Sequence, residues 1–431
     1  MSLVHRRLAL ACLALASLSG GVLAEPVIEL SRSDDPRLRL GQTTIAGGRP
    51  LELSVGIGSG AFRRPQAPDG LFVTVSDRGP NIACGDLGDV AGIDGKTFCR
   101  DAKAGRVYPV PGYAPAIYRI LVEGDRFRLV DEIAIKDGRG LPVSGLPNPL
   151  SRATTETPLD AAGRVLERSA AAVDAEAIVE LADGTFWIGE ENAPSLLHVA
   201  ADGRILRRIV PAGAEADFRD AGYPVEGGLP AILSRRQGNR GIESVALSPD
   251  ERFLYAAVQN PLANPDAKAY QAARNLRLFK IDRATGRPVG EYVYELTPMA
   301  EFKGEEGKGA STARVSEMLA VGEDRLLVLD RTERTTKIFR VDLAGATDIL
   351  GGRFDDPATL PSLEQTNLAE AGIRPVSKRL VLDSSAHPEL PTKIEGMALF
   401  ADGSLMLIND DDFGIEGKRT LVARVRGLDL R

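Results

Sequence analysis

Apolar residues along this chain come in short runs split by Asp-Gly or similar turn signals, and one such unit recurs. Four copies share their internal spacing: EAIVELADGTFWIGEEN from Glu176, ESVALSPDERFLYAAVQN from Glu243, EMLAVGEDRLLVLDRTE from Glu317 and EGMALFADGSLMLINDDD from Glu395. In each, a Glu is followed seven residues later by a turn Asp (Asp183, Asp250, Asp324, Asp402), and a polar cluster closes the unit. A diverged fifth copy reads LSVGIGSG, an insertion, then DGLFVTVSDRGPN from Asp69, with Ser54 in place of the Glu. An apolar run, a tight turn and a second apolar run predict a β-hairpin. Further strand pairs follow, as in AIYRILVEGDRFRLVDEIAI from Ala116 and LRLFKIDRATGRPVGEYVYEL from Leu276.

Four strands per unit, recurring every 67 to 78 residues in the later copies, predict an all-β fold, a β-propeller of five or six four-stranded blades. The count stays open because 77–115 and 136–173 are poorly patterned. Separate sandwich domains fit less well, since no linker divides the copies and one hairpin pair cannot bury both its faces alone. The last unit is a strand short. A segment around Val27 to Leu30, or one from Leu38 to Ala46, is expected to complete it and close the ring without an open edge.

Residues 1–24 place His5, Arg6 and Arg7 before an apolar run and end in small residues, the pattern of a cleaved signal peptide. Residues 25–431 are then one domain, expected in the periplasm or outside the cell, with no later stretch of membrane-spanning length. In an oxidising compartment the two remaining cysteines, Cys84 and Cys99, are expected to pair. Of the 431 residues, 43% are hydrophobic, enough for a large core, and the net charge of -7 argues against a nucleic-acid-coating surface.

In a hairpin, the start of the first strand and the end of the second lie at the same end of the sheet. Glu176, Glu243, Glu317 and Glu395 therefore share a face with Asp77-Arg78, Glu190-Glu191-Asn192, Gln259-Asn260, Asp330-Arg331 and the run from Asn409 to Asp412. With first strands innermost, the four glutamates ring the channel mouth and are the catalytic candidates. Crowded carboxylates call for a cation, and Ca2+ suits them because it takes six to eight hard oxygen ligands. Asp77, Glu191, Asp330 and Asp411 are the metal candidates. Arg78, Arg240, Arg331 and Lys393 are placed to hold a small anionic ester. The competing reading is structural: the glutamates cap backbone N–H groups and the basic residues compensate the acids. Beyond the leader only His198 and His387 occur, GxSxG and HExxH are absent, and GEEGKGAS from Gly304 lacks P-loop spacing.

SDRG at Ser76, RGIES at Arg240, SEM at Ser316, LDR at Leu329, EGM at Glu395 and NDDDFG at Asn409 together resemble the phytase-like domain family, described as having esterase-like activity of phytase. The resemblance runs from about Arg49 to Gly427. It implies an exported bacterial propeller that hydrolyses phosphoesters or phosphodiesters with its acids. Two departures stand out: Ser54 replaces the acid of the first blade, and no full ligand motif of the calcium-dependent phytases matches residue by residue. A metal-dependent lactonase or carboxylesterase and a non-enzymatic envelope scaffold are the alternatives. Nothing in the sequence sets an oligomeric state.

Overall fold

The computed structural model describes residues 25–430, and the expected leader peptide lies outside them. The chain is all-β, with a few short helices. Five sheets of four or five strands follow one another along it. Sheet I comprises Gly60–Phe62, Leu71–Val75, Ala116–Glu123 and Arg126–Ala134. Sheet II comprises Ala175–Glu180, Phe186–Glu190, Ser195–Val199 and Ile205–Pro211, extended by the parallel strand Val225–Leu229. Sheet III contains Ile242–Leu247, Phe253–Val258, Asn275–Asp282 and Arg287–Glu295. Sheet IV contains Arg314–Gly322, Arg325–Arg331, Thr336–Asp342 and Ser377–Asp383. Sheet V contains Ile394–Leu399, Leu405–Asn409 and Val422–Arg426, and its fourth strand comes from the other end of the chain, Val27–Ser31. Of the two N-terminal segments proposed for that place, the earlier one takes it, antiparallel to Val422–Arg426. The later one pairs elsewhere, as a hairpin of Arg39–Thr44 with Pro50–Ser54.

The first strands of the five sheets touch in chain order, I to II, II to III, III to IV and IV to V, and that of V touches that of I. Small residues permit this approach. A Cβ on Gly60 would lie 2.6 Å from the carbonyl oxygen of Glu176, closer than packed atoms come, so no larger side chain fits between sheets I and II there. The core lies between neighbouring sheets, and its largest continuous part joins residues of sheets I to IV. Trp187, fully buried on the second strand of sheet II, stacks on the half-buried ring of His198 at 4.8 Å, a packing role for both. Full burial of a large apolar side chain contributes roughly 1.5–3 kcal/mol, so such positions, not the turns, hold the sheets together.

The two poorly patterned stretches add no further four-stranded sheet among the described residues. They supply the helices Leu87–Ala91 and Gly95–Cys99 and a small sheet of Ile82–Ala83, Gly105–Val107 and Thr157–Leu159. Cys84 and Cys99 are joined there in the expected disulfide. No helix among the described residues is long and apolar enough to cross a membrane.

Candidate functional site

In sheets II, III and V the first strand carries a β-bulge near its start, and the extra residue is Glu176, Glu243 and Glu395 respectively. A bulge leaves one residue unpaired and re-aims its side chain. All three glutamates line one cavity of about 360 Å³, together with the residues that close each second strand: Asp77 and Arg78 of sheet I, Glu191 of sheet II and Gln259 of sheet III. Arg240, Arg331 and Lys393 line it too. Nine of the twelve sequence-selected residues are thus brought together.

The unusual feature is the crowding of the acids that line this cavity with Asp174, which is buried beside it. Carboxylate oxygens of Asp77, Asp174 and Glu176 lie within 4.8 Å of one another, and so do those of Glu176, Glu191 and Glu243. Burial, followed by repulsion from Glu243, Asp174, Glu191 and Asp77, holds the Glu176 carboxyl well above its usual range. Burial and Glu243 do the same to Glu191, and burial with Asp174 to Asp77. Glu243 is also raised by burial, partly offset by Arg331. Asp174 was missed by the sequence reading. It stands two residues before Glu176, and i, i+2 spacing puts both side chains on one side of an extended chain, which was the signal available.

The basic residues on the wall are largely engaged. Arg78 donates to Glu156 at 2.6 Å and lies 3.4 Å from Asp174. Arg240 contacts Glu191 at 3.2 Å and Lys393 contacts Asp410 at 2.6 Å and also Asp412. Arg331 is paired with Glu395, and burial lowers its own pKa to about 10. Charge compensation, one of the two readings offered for these residues, therefore describes Arg331 and Lys393 directly. Arg240 keeps 30% of its side chain exposed. Arg314, which no sequence pattern singled out, pairs with Glu333, and its Nε has no hydrogen-bond partner.

Three sequence-selected acids lie elsewhere. Glu317 is off the cavity because the bulge of sheet IV falls one residue earlier, on Ser316. A single-residue slip turns a side chain to the opposite face. A second irregularity, between Ala320 and Gly322, takes up the extra residue, so the seven-residue spacing to Asp324 is preserved while the register is not. The Glu317 carboxylate instead accepts the N–H of Ala61 at 2.9 Å and of Met318 at 2.9 Å. Ser316 takes the place expected for Glu317, donating from Oγ to Glu243 at 3.2 Å and accepting from Arg331 Nε at 2.9 Å. Asp330 is buried away from the cavity, where it accepts from the Thr297 N–H at 2.8 Å and the Thr297 hydroxyl at 2.7 Å, with Lys378 at 3.7 Å. Asp411 faces a separate groove and accepts from the Ser54 hydroxyl at 2.8 Å. Ser54 itself ends the Pro50–Ser54 strand, and the first strand of sheet I begins only at Gly60, so Ser54 does not stand where the other sheets carry the repeated Glu.

The remaining acids fit a hard divalent cation. Every donor is an oxygen, as such ions prefer. Glu176, 7% exposed, makes no hydrogen bond or ion pair with the described residues. Glu243 Oε2 and Gln259 Oε1 are buried without hydrogen-bond partners. Unpaired buried oxygens are costly to the fold, and a cation among them would satisfy them.

The fold and site define an all-β chain whose sheets gather acids, edged by arginines, in one cavity. The chain belongs to the phytase-like family, described as esterase-like activity of phytase, which matches residues 55–413. An uncharacterized secreted protein of Arthroderma benhamiae is 23% identical over 244 residues, which is 51% of this chain and 48% of that relative, so the chain spans about half of its length. Among solved structures, the PQQ-bound aldose sugar dehydrogenase of Streptomyces coelicolor is 13% identical, with 94% of this chain and 99% of that one covered at a TM-score of 0.34. A calcium-binding protein, regucalcin, of Agrobacterium tumefaciens is 11% identical, with 92% and 96% covered at a TM-score of 0.34.

Proposed function

We propose that this chain is an exported hydrolase of phosphate esters, built as a single domain of five propeller blades from residue 25 onward, with a divalent cation, calcium first, held by the buried acids. The contacts between successive first strands and the pairing of Val27–Ser31 with Val422–Arg426 support ring closure. The leader-like start of the sequence and the Cys84–Cys99 disulfide support export. The observation that carries the catalytic reading is Glu176: a nearly buried carboxylate without partner, crowded by four other acids.

Asp77, Asp174, Glu176, Glu191 and Glu243 would supply the ligand oxygens. When bound, the cation would neutralise the substrate's phosphate and lower the pKa of water. Arg240 and Arg314, at the edge of the acids, offer guanidinium donors for the phosphate oxygens.

Purified protein should hydrolyse p-nitrophenyl phosphate, bis-p-nitrophenyl phosphate or phytate with calcium present, lose that activity in chelator, and lose it at least a hundredfold in Glu176→Gln. Turnover of lactones or short acyl esters without turnover of phosphates would move the chain to the lactonase or carboxylesterase class. A protein that binds calcium and hydrolyses none of these esters would instead be a binding scaffold.

A further inference from the structure

The five acids do not close on one point. Their oxygens fall into two trios, Asp77 with Asp174 and Glu176, and Glu176 with Glu191 and Glu243, each within 4.8 Å, with Glu176 common to both. The first trio joins the end of the second strand of sheet I to the start of sheet II. The second joins the end of the second strand of sheet II to the bulge of sheet III. Glu176 sits between them because its own bulge turns it out of the ladder.

We propose that the cavity is built for two divalent cations, one in each trio, with Glu176 as the shared ligand. This rests on the cation reading above and adds the number of ions and their separate ligands.

Charge points the same way. Two of the five carboxylates have a guanidinium beside them, Asp174 with Arg78 at 3.4 Å and Glu191 with Arg240 at 3.2 Å. Among the described residues, Asp77, Glu176 and Glu243 have no cationic side chain within ion-pair distance. One divalent ion would leave that set net negative and repel an anionic ester. Two would leave it net positive and ready to accept one.

The donor set is divided to match. In the second trio Glu243 Oε2 lacks a hydrogen-bond partner, and Gln259, 3% exposed and lining the same cavity, has a bare amide oxygen. A neutral amide oxygen is a hard ligand that adds no further repulsion. In the first trio Asp174 Oδ2 makes no hydrogen bond but lies 3.4 Å from Arg78 Nε, so the charge of that carboxylate is already matched. The second trio thus contains buried oxygens that no hydrogen bond satisfies, whereas in the first trio Asp174 is held by Arg78 and Glu176 is the unpaired member.

Calcium binding to chelator-stripped mature protein, followed by titration calorimetry and by metal analysis after gel filtration, decides the matter. Two ions per chain are expected. Asp77→Asn and Glu243→Gln should each retain one, whereas Glu176→Gln should weaken both at least tenfold. Each variant replaces a crowded acid by its isosteric amide, so in chelator it should unfold at or above the wild-type temperature. If a variant fails to fold, the wild-type stoichiometry still decides. A single ion, lost equally in all three variants, would overturn the two-ion assignment and leave the hydrolase reading standing. No calcium bound to the folded wild type would remove both.

Discussion

Arg331 and Glu395 form an ion pair with side chains only 1% and 6% exposed, tying the second strand of sheet IV to the first strand of sheet V. Breaking such a pair from one side leaves a buried charge uncompensated, which costs about 3–5 kcal/mol. Glu395→Gln should lower the unfolding free energy in urea by about that much. A loss under about 1 kcal/mol would mean that Arg331 finds other partners readily and is available to a ligand after all.

Glu176 should behave in the opposite way. Its neighbours in the cluster are acids, so Glu176→Gln removes repulsion and should raise the stability of the cation-free protein by about 1–2 kcal/mol while abolishing activity. Thermal unfolding in chelator checks the sign. A destabilised variant would show that the carboxylate is satisfied by contacts other than a cation.

The pH dependence of that gain follows from the raised carboxyls. A group whose folded pKa exceeds its unfolded value binds its proton more firmly when folded, so its contribution is full below the unfolded pKa and is lost as pH rises toward the folded one. For Asp77, Glu176 and Glu191 the loss begins near the ordinary 3.8 of Asp and 4.5 of Glu and continues upward. The stability difference between Glu176→Gln and wild type in chelator should therefore be near zero at pH 4 and widen through pH 7. Saturating calcium should reverse the trend for the wild type, because ligands must be deprotonated to bind it. A difference that does not change with pH would sink the crowding account.

Glu317 is a structural acid. Glu317→Ala would leave the N–H groups of Ala61 and Met318 buried without their acceptor, at about 1–3 kcal/mol for each unsatisfied group. Urea unfolding should show the loss, and calcium stoichiometry should be unchanged. A change in bound calcium would place Glu317 in the cation site.

The Cys84–Cys99 bridge closes a short loop of sequence separation 15, worth about 3 kcal/mol in the chain-entropy account. Replacing both cysteines by serine should lower thermal stability accordingly. Calcium binding should persist, since neither cysteine lines the acidic cavity.

The hairpins, their turns and the shared end of Glu176, Glu243, Glu395, Asp77 and Glu191 were legible in the sequence, because alternation and turn chemistry act over a few residues and repeat with each unit. Glu317 shows where that legibility stopped. Its spacing to Asp324 matches the other copies, yet the bulge falls on Ser316, and which residue is left out of a ladder depends on how two strands pair across sheet IV. Asp330 and Asp411 fall the same way: both stand in the expected polar clusters, and the insertions packed around them draw one to Thr297 and the other to Ser54. Asp174 joined the site only because sheets I and II meet beside it. Local sequence thus set the strands and the end at which acids collect. Only the assembled sheets decided which carboxylates meet unpaired, because that depends on partners supplied from far along the chain and on the solvent they exclude.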